Sequence, residues 1–323
     1  MSARCESLIP EALHGAVREA LTATYGLAPV ECLGPVTGGA SGAIALRLAA
    51  GERQHLLRVE ARRSPLRNPH QYACLTVAAE ADVAPQLHYV DAESGVAVMD
   101  FIDTVALDRF PGGEVARAHA LAGLARRLQQ TDPFPALGDW RMIVGRLLEL
   151  LESKSVEGLL APHRAAYQRL SDRLSWDGAT HVSSHNDPNA RNVLFDGTRL
   201  WLVDWETAYR NDPMVDVAII ADNLDAPPEL TRELLHAWMG RAASVEEAER
   251  LEAIRRLTRL YYAGLLIGFG APQETRLDDL SAPTRAEADE RQRRGELNEV
   301  TPDTLLLAGK MCLNAFLSDP ETG

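Results

Sequence analysis

Residues 183–206 constrain the fold of this chain more than any other stretch. Two short apolar runs, Asn192–Phe195 and Leu200–Val203, flank an Asp-Gly pair at Asp196-Gly197. Alternating β-forming residues on both sides of Asp-Gly predict a β-hairpin. Because a hairpin brings its outer ends together, polar residues before the first strand and after the second are expected to lie side by side.

The outer ends of this hairpin are rich in side-chain oxygen. Asp187 and Asn192 lie before or at the start of the first strand, and Asp204 and Glu206 follow the second. Asp187, Asn192 and Asp204 can converge on one point, and oxygen ligands suit a hard cation such as Mg²⁺. A polar hairpin capped by Asp and Asn is the simpler interpretation. The number, order and spacing of the polar residues disfavour it.

The spacing of the polar residues matches the catalytic layout of kinases. A His-x-Asp triplet, an Asn five residues after the Asp and a strand that ends in Asp follow one another from His185 to Asp204. With Asp204–Ala208 and Asn211–Asp216, this stretch resembles the aminoglycoside phosphotransferase and choline kinase superfamily. The Asp-Trp-Glu triplet at 204–206 is more similar to choline and ethanolamine kinases.

The resemblance implies a role for each polar residue. Asp187 is expected to act as the base that orients the acceptor hydroxyl, and Asn192 and Asp204 are expected to bind Mg²⁺. For Glu206, a second metal position and a salt bridge to an Arg both stay open. His185 is a catalytic candidate by position, although packing of the loop is the favoured role. A further prediction is that Asp216 hydrogen-bonds the backbone of this loop.

Candidate nucleotide-binding residues lie in the N-terminal part. The loop Thr37–Ala43 contains Gly38, Gly39 and Ser41, and glycine lets backbone N–H groups approach phosphates. An ordinary turn is the alternative. Gly42 stands where the choline kinases tend to have Asn, so a looser loop is expected.

A cation on the third predicted strand is expected to contact the nucleotide phosphates. The resemblance assigns this role to Arg58, which can make a bidentate contact, with solvent exposure as the alternative. The family places a Glu on the next helix to orient this cation, but the position is Gln71 here. Gln71 can accept a hydrogen bond from Arg58 but cannot form an ion pair with it.

Periodicity predicts an α+β chain. We expect a five-stranded antiparallel sheet, a hinge near Asp100 and Ile102 whose backbone would hold the adenine, and then mostly helices. The resemblance implies a kinase-like bilobal fold, with a nucleotide-binding lobe at 1–102 and a helical catalytic and acceptor lobe at 103–323. Strands are predicted at 30–35, 43–49, 54–60, 85–90 and 95–99. Helices are predicted at 11–25, 69–82, 113–130, 140–151, 162–174, 229–239, 245–268 and 301–317, while the charge-rich stretch 285–299 is either a helix or a linker.

Composition and charge argue against several other classes of protein. The net charge of −13 argues against a nucleic-acid partner and is compatible with a cationic substrate. No apolar run is long enough to span a bilayer, no signal-peptide pattern begins the chain, and the four cysteines lack metal-site spacing. A cytoplasmic location without membrane attachment is expected; the oligomeric state stays open.

The predicted function is an ATP- and Mg²⁺-dependent small-molecule kinase that phosphorylates a hydroxyl. Choline or a related amino alcohol is the preferred acceptor; an aminoglycoside, a macrolide or a sugar-like metabolite is the alternative. A quaternary ammonium would need aromatic faces, for which the candidates are Trp205, Trp238, Tyr261, Tyr262 and Phe269. A catalytically weak nucleotide-binding module, motivated by Gln71, is the rival from another class.

Overall fold

The computed structural model describes residues 3–36, 42–61, 68–176, 178–297 and 300–318. Contacts between Cα atoms divide the chain into two compact units. The first is Met1–Leu137 with Thr180–Ala242, and the second is Gly138–Ala179 with Ala243–Gly323. This division does not coincide with the predicted boundary after residue 102, because the N-terminal sheet and the central hairpin belong to the same unit. The functional lobe boundary stays a prediction.

The first unit contains the predicted five-stranded sheet. Its order is β1-β2-β3-β5-β4, and every neighbouring pair is antiparallel. The strands are β1 (Glu31–Pro35), β2 (Ile44–Ala50), β3 (Arg53–Val59), β4 (Leu87–Asp91) and β5 (Val96–Asp100). The predicted α+β class is therefore confirmed, and each strand lies within one or two residues of its predicted bounds.

Eleven α-helices occur in the described ranges, and the eight predicted ones are among them. In chain order they are α1 (Ala3–Glu6), α2 (His14–Tyr25), α3 (Gln71–Glu80), α4 (Gly113–Gln129), α5 (Trp140–Ser153), α6 (Ala161–Arg173), α7 (Met214–Asn223), α8 (Pro228–Met239), α9 (Val245–Gly268), α10 (Arg285–Arg293) and α11 (Pro302–Leu317). None of those helices is long and apolar enough to cross a membrane.

Helix α7 was not predicted as a helix. Its residues from Met214 to Ala221 are all buried, so the segment lacks the polar face that gives an amphipathic periodicity. Of the charge-rich stretch 285–299, for which a helix and a linker were both open, Arg285–Arg293 form helix α10. The Thr284 side chain accepts from Glu287 N–H and the Glu287 side chain accepts from Thr284 N–H, a capping box that starts it.

The two faces of β3 have different environments. Leu57 and Val59 are fully buried in a core that includes Val17 and Leu21 of α2. Residues alternate between faces along a strand, so Arg58 points to the opposite face of the sheet. This face is where the phosphate contact was predicted.

The central hairpin forms as predicted. Strand β7 (Val193–Phe195) pairs with β8 (Leu200–Leu202), and it is flanked by a second small pair, β6 (Val182–Ser184) with β9 (Tyr209–Asn211). Asp196 holds the turn, because its Oδ1 accepts from the N–H groups of Thr198 at 2.7 Å and Arg199 at 2.8 Å. Burial opposes ionisation, but these hydrogen bonds and those from the Thr198 hydroxyl and Trp201 lower the pKa of Asp196 to about 2.

The second unit is helical. Helix α9 packs against both α5 and α11, and a glycine permits one of these contacts. A Cβ atom on Gly264 would lie 2.5 Å from Cβ of Leu147 in α5. Only a residue without a side chain therefore fits at this crossing.

Candidate active site

The site is built on the segment that links β6 to β7. Asp216, in the first turn of α7, fixes its start: Oδ2 accepts from the N–H of His185 at 2.9 Å and Oδ1 from the N–H of Asn186 at 2.8 Å. Burial raises the pKa of Asp216 to about 6 and the charge of Asp187 adds to the shift, while the two N–H groups oppose it. These hydrogen bonds match the contact predicted for Asp216.

Asn186 turns the backbone before the candidate base, and the sequence analysis gave it no role. Its φ is +63°, and its Nδ2 donates to the carbonyls of Thr207 at 3.0 Å and Tyr209 at 3.2 Å. Its Oδ1 accepts from Nδ2 of Asn211 at 2.7 Å. Asn tolerates positive φ better than most residues. An Asn between the His and Asp of the triplet is the signal that would have identified this turn.

Two amides orient the candidate base. Asn189 donates from Nδ2 to Oδ1 of Asp187 at 2.7 Å, and Asn192 donates from Nδ2 to Oδ2 at 3.1 Å and to the Asp187 carbonyl at 2.9 Å. Asp187 thus meets Asn192 as the spacing predicted. This contact of Asn189 was not predicted from the sequence, although an amide two residues after the Asp was the available signal.

Asp204 follows the second strand of the hairpin, one residue after Val203. The N–H of Val203 donates to the carbonyl of Asn192 at 2.9 Å, so the residues that flank the hairpin are adjacent. Asp204 has φ +67° and ψ +75°. Of the four non-glycine residues with positive φ in the described ranges, Asp204 and Asn186 both lie at this site. Such conformations cost free energy and cluster at functional sites.

The carboxylate of Asp204 is poorly satisfied. Its Oδ1 is buried and has no hydrogen-bond partner among the described residues. Burial raises the pKa of Asp204, and the charge of Arg58 and a hydrogen bond from the Glu206 backbone oppose the shift. A buried, unpaired anionic oxygen is destabilising. A bound cation would relieve that cost.

Arg58 on β3 meets the second acidic residue of the hairpin. Its Nη2 donates to Oε1 of Glu206, and its Nη1 donates to the hydroxyl of Tyr72 at 3.0 Å. Glu206 therefore takes the salt bridge, one of the two roles that the sequence left open, and a metal role for Glu206 stays a prediction. Burial and the neighbouring Asp204 raise the pKa of Glu206, whereas Arg58 lowers it.

The hydrogen bond that Gln71 could accept from Arg58 is not formed. Gln71 is buried, and its Nε2 donates to Oε1 of Glu60 at 3.1 Å. Successive residues of a helix point about 100° apart, and the next residue, Tyr72, is the one that contacts Arg58.

His185 packs inside the loop. It is fully buried, its Nε2 lies 3.0 Å from the carbonyl of Val203, and its ring contacts Trp205 edge to face at 4.7 Å. Burial lowers the pKa of His185 to about 4, and the hydrogen bond to Val203 opposes the shift. A neutral, buried imidazole favours packing over proton transfer.

The remaining nucleotide-binding candidates are only partly described. Gly38, Gly39 and Ser41 lie outside the described residues. Asp100 ends β5, and the N–H of Phe101 donates to the carbonyl of Gln54 at 3.1 Å. The N–H of Ile102 has no hydrogen-bond partner among the described residues, which suits the predicted backbone contact to a nucleobase.

A family comparison decides the class of this chain. Residues 33–254, which run from β1 into α9 and include every described site residue above, match the model of the phosphotransferase enzyme family. The chain belongs to the phosphotransferase enzyme family. The resemblance stated from the sequence motifs is thereby confirmed, and so is the predicted class, a phosphotransferase.

Solved structures of the same fold span nearly the whole phosphotransferase chain. A choline/ethanolamine kinase family protein from Mesorhizobium loti is 23% identical, with a TM-score of 0.58 over 93% of this chain and 99% of the other. A choline kinase from Streptococcus pneumoniae is 14% identical, with a TM-score of 0.61 over 94% and 100%. A spectinomycin phosphotransferase in complex with ADP and spectinomycin is 13% identical, with a TM-score of 0.56 over 92% and 98%. These likenesses confirm the kinase-like fold.

A relative found by sequence comparison matches a much shorter part of this chain than the solved structures do. A stretch of 66 residues is 30% identical to an uncharacterized protein of Metamycoplasma hominis. It amounts to 20% of this phosphotransferase and 13% of that relative. The chain thus spans a small part of the curated relative's length, and that match carries no argument about activity.

The aromatic candidates for the acceptor pocket of this phosphotransferase are used partly in packing. Trp238 in the first unit donates from Nε1 to Oε1 of Gln129 at 2.8 Å. Tyr261 in the second unit is buried, with its ring 6.0 Å from that of Trp140 and 5.7 Å from that of Tyr262. Phe269 is exposed. A role of any of the five aromatic residues in an acceptor pocket stays a prediction.

Proposed function

We propose that this phosphotransferase is an ATP- and Mg²⁺-dependent kinase that transfers the γ-phosphoryl group to a hydroxyl of a small molecule. One observation carries the proposal. Asp187, which accepts from two amides, precedes the hairpin; Asp204, whose buried Oδ1 is unpaired among the described residues, and Glu206, which pairs with Arg58, follow it. A base, a cation ligand and a phosphate-binding cation are the groups that phosphoryl transfer requires.

Asp187 holds the acceptor. Its two carboxylate oxygens accept from Asn189 and Asn192, which fix the orientation of the group without neutralising its charge. A carboxylate can accept more than one hydrogen bond on each oxygen, and a hydroxyl is a suitable donor. It would orient that hydroxyl towards the γ-phosphorus and take its proton as the bond to phosphorus forms and the bond to ADP breaks.

Asp204 and Asn192 fit a magnesium ion. Both offer oxygen atoms, and the unpaired Oδ1 of Asp204 is the atom that gains most from a cation. Bound Mg²⁺ would neutralise negative charge on the nucleotide phosphates. Arg58, held by Glu206 and Tyr72, presents its guanidinium on the sheet face opposite α2 for a phosphate oxygen.

The preferred acceptor is choline or a related amino alcohol. It is supported by the Asp-Trp-Glu triplet and Arg58, which resemble the choline kinase branch, and by the fold shared with the proteins from Mesorhizobium loti and Streptococcus pneumoniae. The net charge of −13 is compatible with a cationic acceptor. The fold shared with the spectinomycin phosphotransferase keeps an aminoglycoside-type acceptor as the second candidate.

The test measures ADP release from Mg·ATP with choline, ethanolamine, spectinomycin or no acceptor, and identifies the phosphorylated product by mass spectrometry. We expect choline to raise ADP release at least tenfold. Asp187→Ala should abolish that rise and keep Mg·ATP binding, while Arg191→Ala, an exposed change in the same loop, should keep both.

Three other outcomes separate the alternatives. Stimulation by spectinomycin alone would replace the acceptor and leave the reaction standing. Mg·ATP binding with no turnover on any acceptor would favour the nucleotide-binding module. Full activity of Asp187→Ala would overturn the assignment of the base.

A further inference from the structure

Three potential metal ligands lie together on the N-terminal sheet, apart from the candidate active site. They are His55 on β3, His88 on β4 and Asp100 at the end of β5. One ligand atom from each lies within 4.8 Å of the other two. No other group of three His, Cys, Asp or Glu side chains in the described ranges comes this close.

The sheet register creates this cluster. His55 and Asp100 are directly opposite each other in the β3–β5 pairing. The pairing of β4 with β5 is irregular between Leu87 and Tyr89, where His88 lies. Nε2 of His88 is 2.6 Å from Oδ1 of Asp100, and the rings of His55 and His88 meet edge to face with centroids 4.8 Å apart.

The imidazole of His55 is not fully satisfied by hydrogen bonds within the described residues. Its side chain is 5% exposed, yet its Nδ1 is buried without a hydrogen-bond partner among the described residues. The hydroxyl of Tyr25, whose ring is 5.2 Å from that of His55, is likewise buried and unpaired within those ranges. A buried polar atom without a partner is destabilising. Such a cost points to a ligand that the imidazole would bind.

The donor atoms of the cluster suit a transition metal. An imidazole nitrogen has a lone pair to offer a cation. Two imidazoles and one carboxylate form a donor set that Zn²⁺ takes, with water in a fourth position.

The cluster is separate from the phosphate-binding face. His55 shares its face of β3 with Leu57 and Val59, which pack against α2, whereas Arg58 points to the opposite face. Asp100 nevertheless leads directly into Phe101 and Ile102, the predicted hinge. A metal here would therefore join three strand ends next to the hinge without occupying the active site.

We propose that His55, His88 and Asp100 bind one Zn²⁺ ion. Ligands of Zn²⁺ lie about 2.0–2.2 Å from the metal and so roughly 3.3 Å from one another. Donor atoms up to 4.8 Å apart must therefore approach by at most about 1.5 Å, whereas Nε2 of His88 and Oδ1 of Asp100, now 2.6 Å apart, must separate by about 0.7 Å. The half-exposed side chains of His88 and Asp100 have room to move, and buried His55 provides the fixed ligand. The proposal does not depend on the kinase reaction.

A second His–carboxylate pair supplies a matched control. Nε2 of His119 on α4 lies 3.0 Å from Oε2 of Glu233 on α8, and both side chains are exposed. No third metal ligand accompanies this pair within the described residues. If a single His–carboxylate pair were enough to hold zinc, this pair would bind it as well.

The experiment uses the tag-free full chain after removal of metals with a chelator. Zinc affinity is measured by competition with a chromophoric chelator, and Co²⁺ absorption reports the donor atoms. We expect one Zn²⁺ per chain and a rise in the thermal midpoint with zinc that is lost in His88→Gln. His88→Gln and Asp100→Asn should each weaken zinc affinity at least tenfold, whereas His119→Gln should change it less than twofold.

Several results would overturn the proposal. One is equal zinc affinity in the wild type, His88→Gln and Asp100→Asn, each checked for a native circular dichroism spectrum and thermal midpoint without metal. Another is an equal loss in His119→Gln. An intense thiolate-to-cobalt absorption band would assign the metal to cysteines instead.

Discussion

The guanidinium of Arg58 on the central strand β3 is paired with the carboxylate of Glu206, 148 residues later in the chain, beside the candidate metal ligand Asp204. The pair links the strand predicted to bind the phosphates with the hairpin that carries the base. Tyr72 holds the other end of the guanidinium. Arg58 is thereby kept in one orientation, which lowers the entropy that a phosphate contact must overcome.

Arg58→Ala should raise the KM for ATP at least tenfold, because a charge-assisted phosphate contact is lost. Glu206→Gln should raise it less, since the guanidinium stays but is held more loosely. Steady-state kinetics over a range of ATP concentrations measure both effects. Arg53→Ala, an exposed change on the same strand, is the control and should leave the KM unchanged. An unchanged KM in Arg58→Ala would remove Arg58 from the nucleotide site.

Asn189→Ala should lower kcat about tenfold and leave Mg·ATP affinity within twofold. The amide of Asn189 orients one oxygen of Asp187, and misplacing a catalytic group by a small distance reduces the rate. Turnover kinetics and calorimetric ATP binding separate the two effects. Arg191→Ala is the control in the same loop. A matching loss of ATP affinity would show that the substitution disrupts the loop as a whole.

Asp204→Asn should raise the Mg²⁺ concentration for half-maximal activity at least tenfold, because the ion loses an anionic ligand. Without Mg²⁺, the same variant should raise the thermal midpoint, since it replaces a buried carboxylate whose Oδ1 lacks a partner. Asp225→Asn, an exposed Asp with φ +48°, is the matched control and should change neither. A Mg²⁺ requirement equal to that of the wild type would contradict the assignment.

His185 and Asp216 should shape the pH dependence of stability in opposite directions. The folded pKa of His185, about 4, is below its ordinary 6.5. Its contribution to the free energy of unfolding is therefore present above pH 6.5 and is lost as the pH falls towards 4. The folded pKa of Asp216, about 6, is above its ordinary 3.8. Its contribution to the free energy of unfolding is therefore present below pH 3.8 and is lost as the pH rises through 6.

His185→Gln leaves only the effect of Asp216 at this site. Between pH 7 and pH 5 the wild type should lose about 2 kcal/mol of its free energy of unfolding through His185, and the variant should not have this loss. Denaturant unfolding at the two pH values measures this double difference, in which the other histidines cancel. Identical pH dependence in both proteins would mean that His185 is not buried in its neutral form.

Gly264→Ala should destabilise the protein by about 1–3 kcal/mol, because its Cβ would meet Leu147 at 2.5 Å. Gly123→Ala is the matched helical control. A Cβ there has nothing within 4 Å, so it should stabilise by about 0.5–1 kcal/mol through helix propensity. Thermal unfolding of the two variants gives the comparison. Equal effects would mean that α5 and α9 are not in close contact at Gly264.

The sequence alone predicted the features that depend on interactions between residues close together in the chain. The Asp-Gly pair between β-forming runs specified the hairpin, because Asp196 closes its own turn with nearby N–H groups. The spacing of Asp187 and Asn192 then predicted the contact between these two side chains. The family match and the shared fold confirm the class that this spacing suggested.

Contacts between distant segments were decided by the tertiary structure. The sequence could not show that Tyr72 rather than Gln71 meets Arg58, because the rotation of α3 depends on how its buried face packs. It missed α7, whose burial on all sides removes the periodic signal. It also missed the cluster of His55, His88 and Asp100, since strand register across a sheet is set by pairing and core packing between residues far apart in the chain.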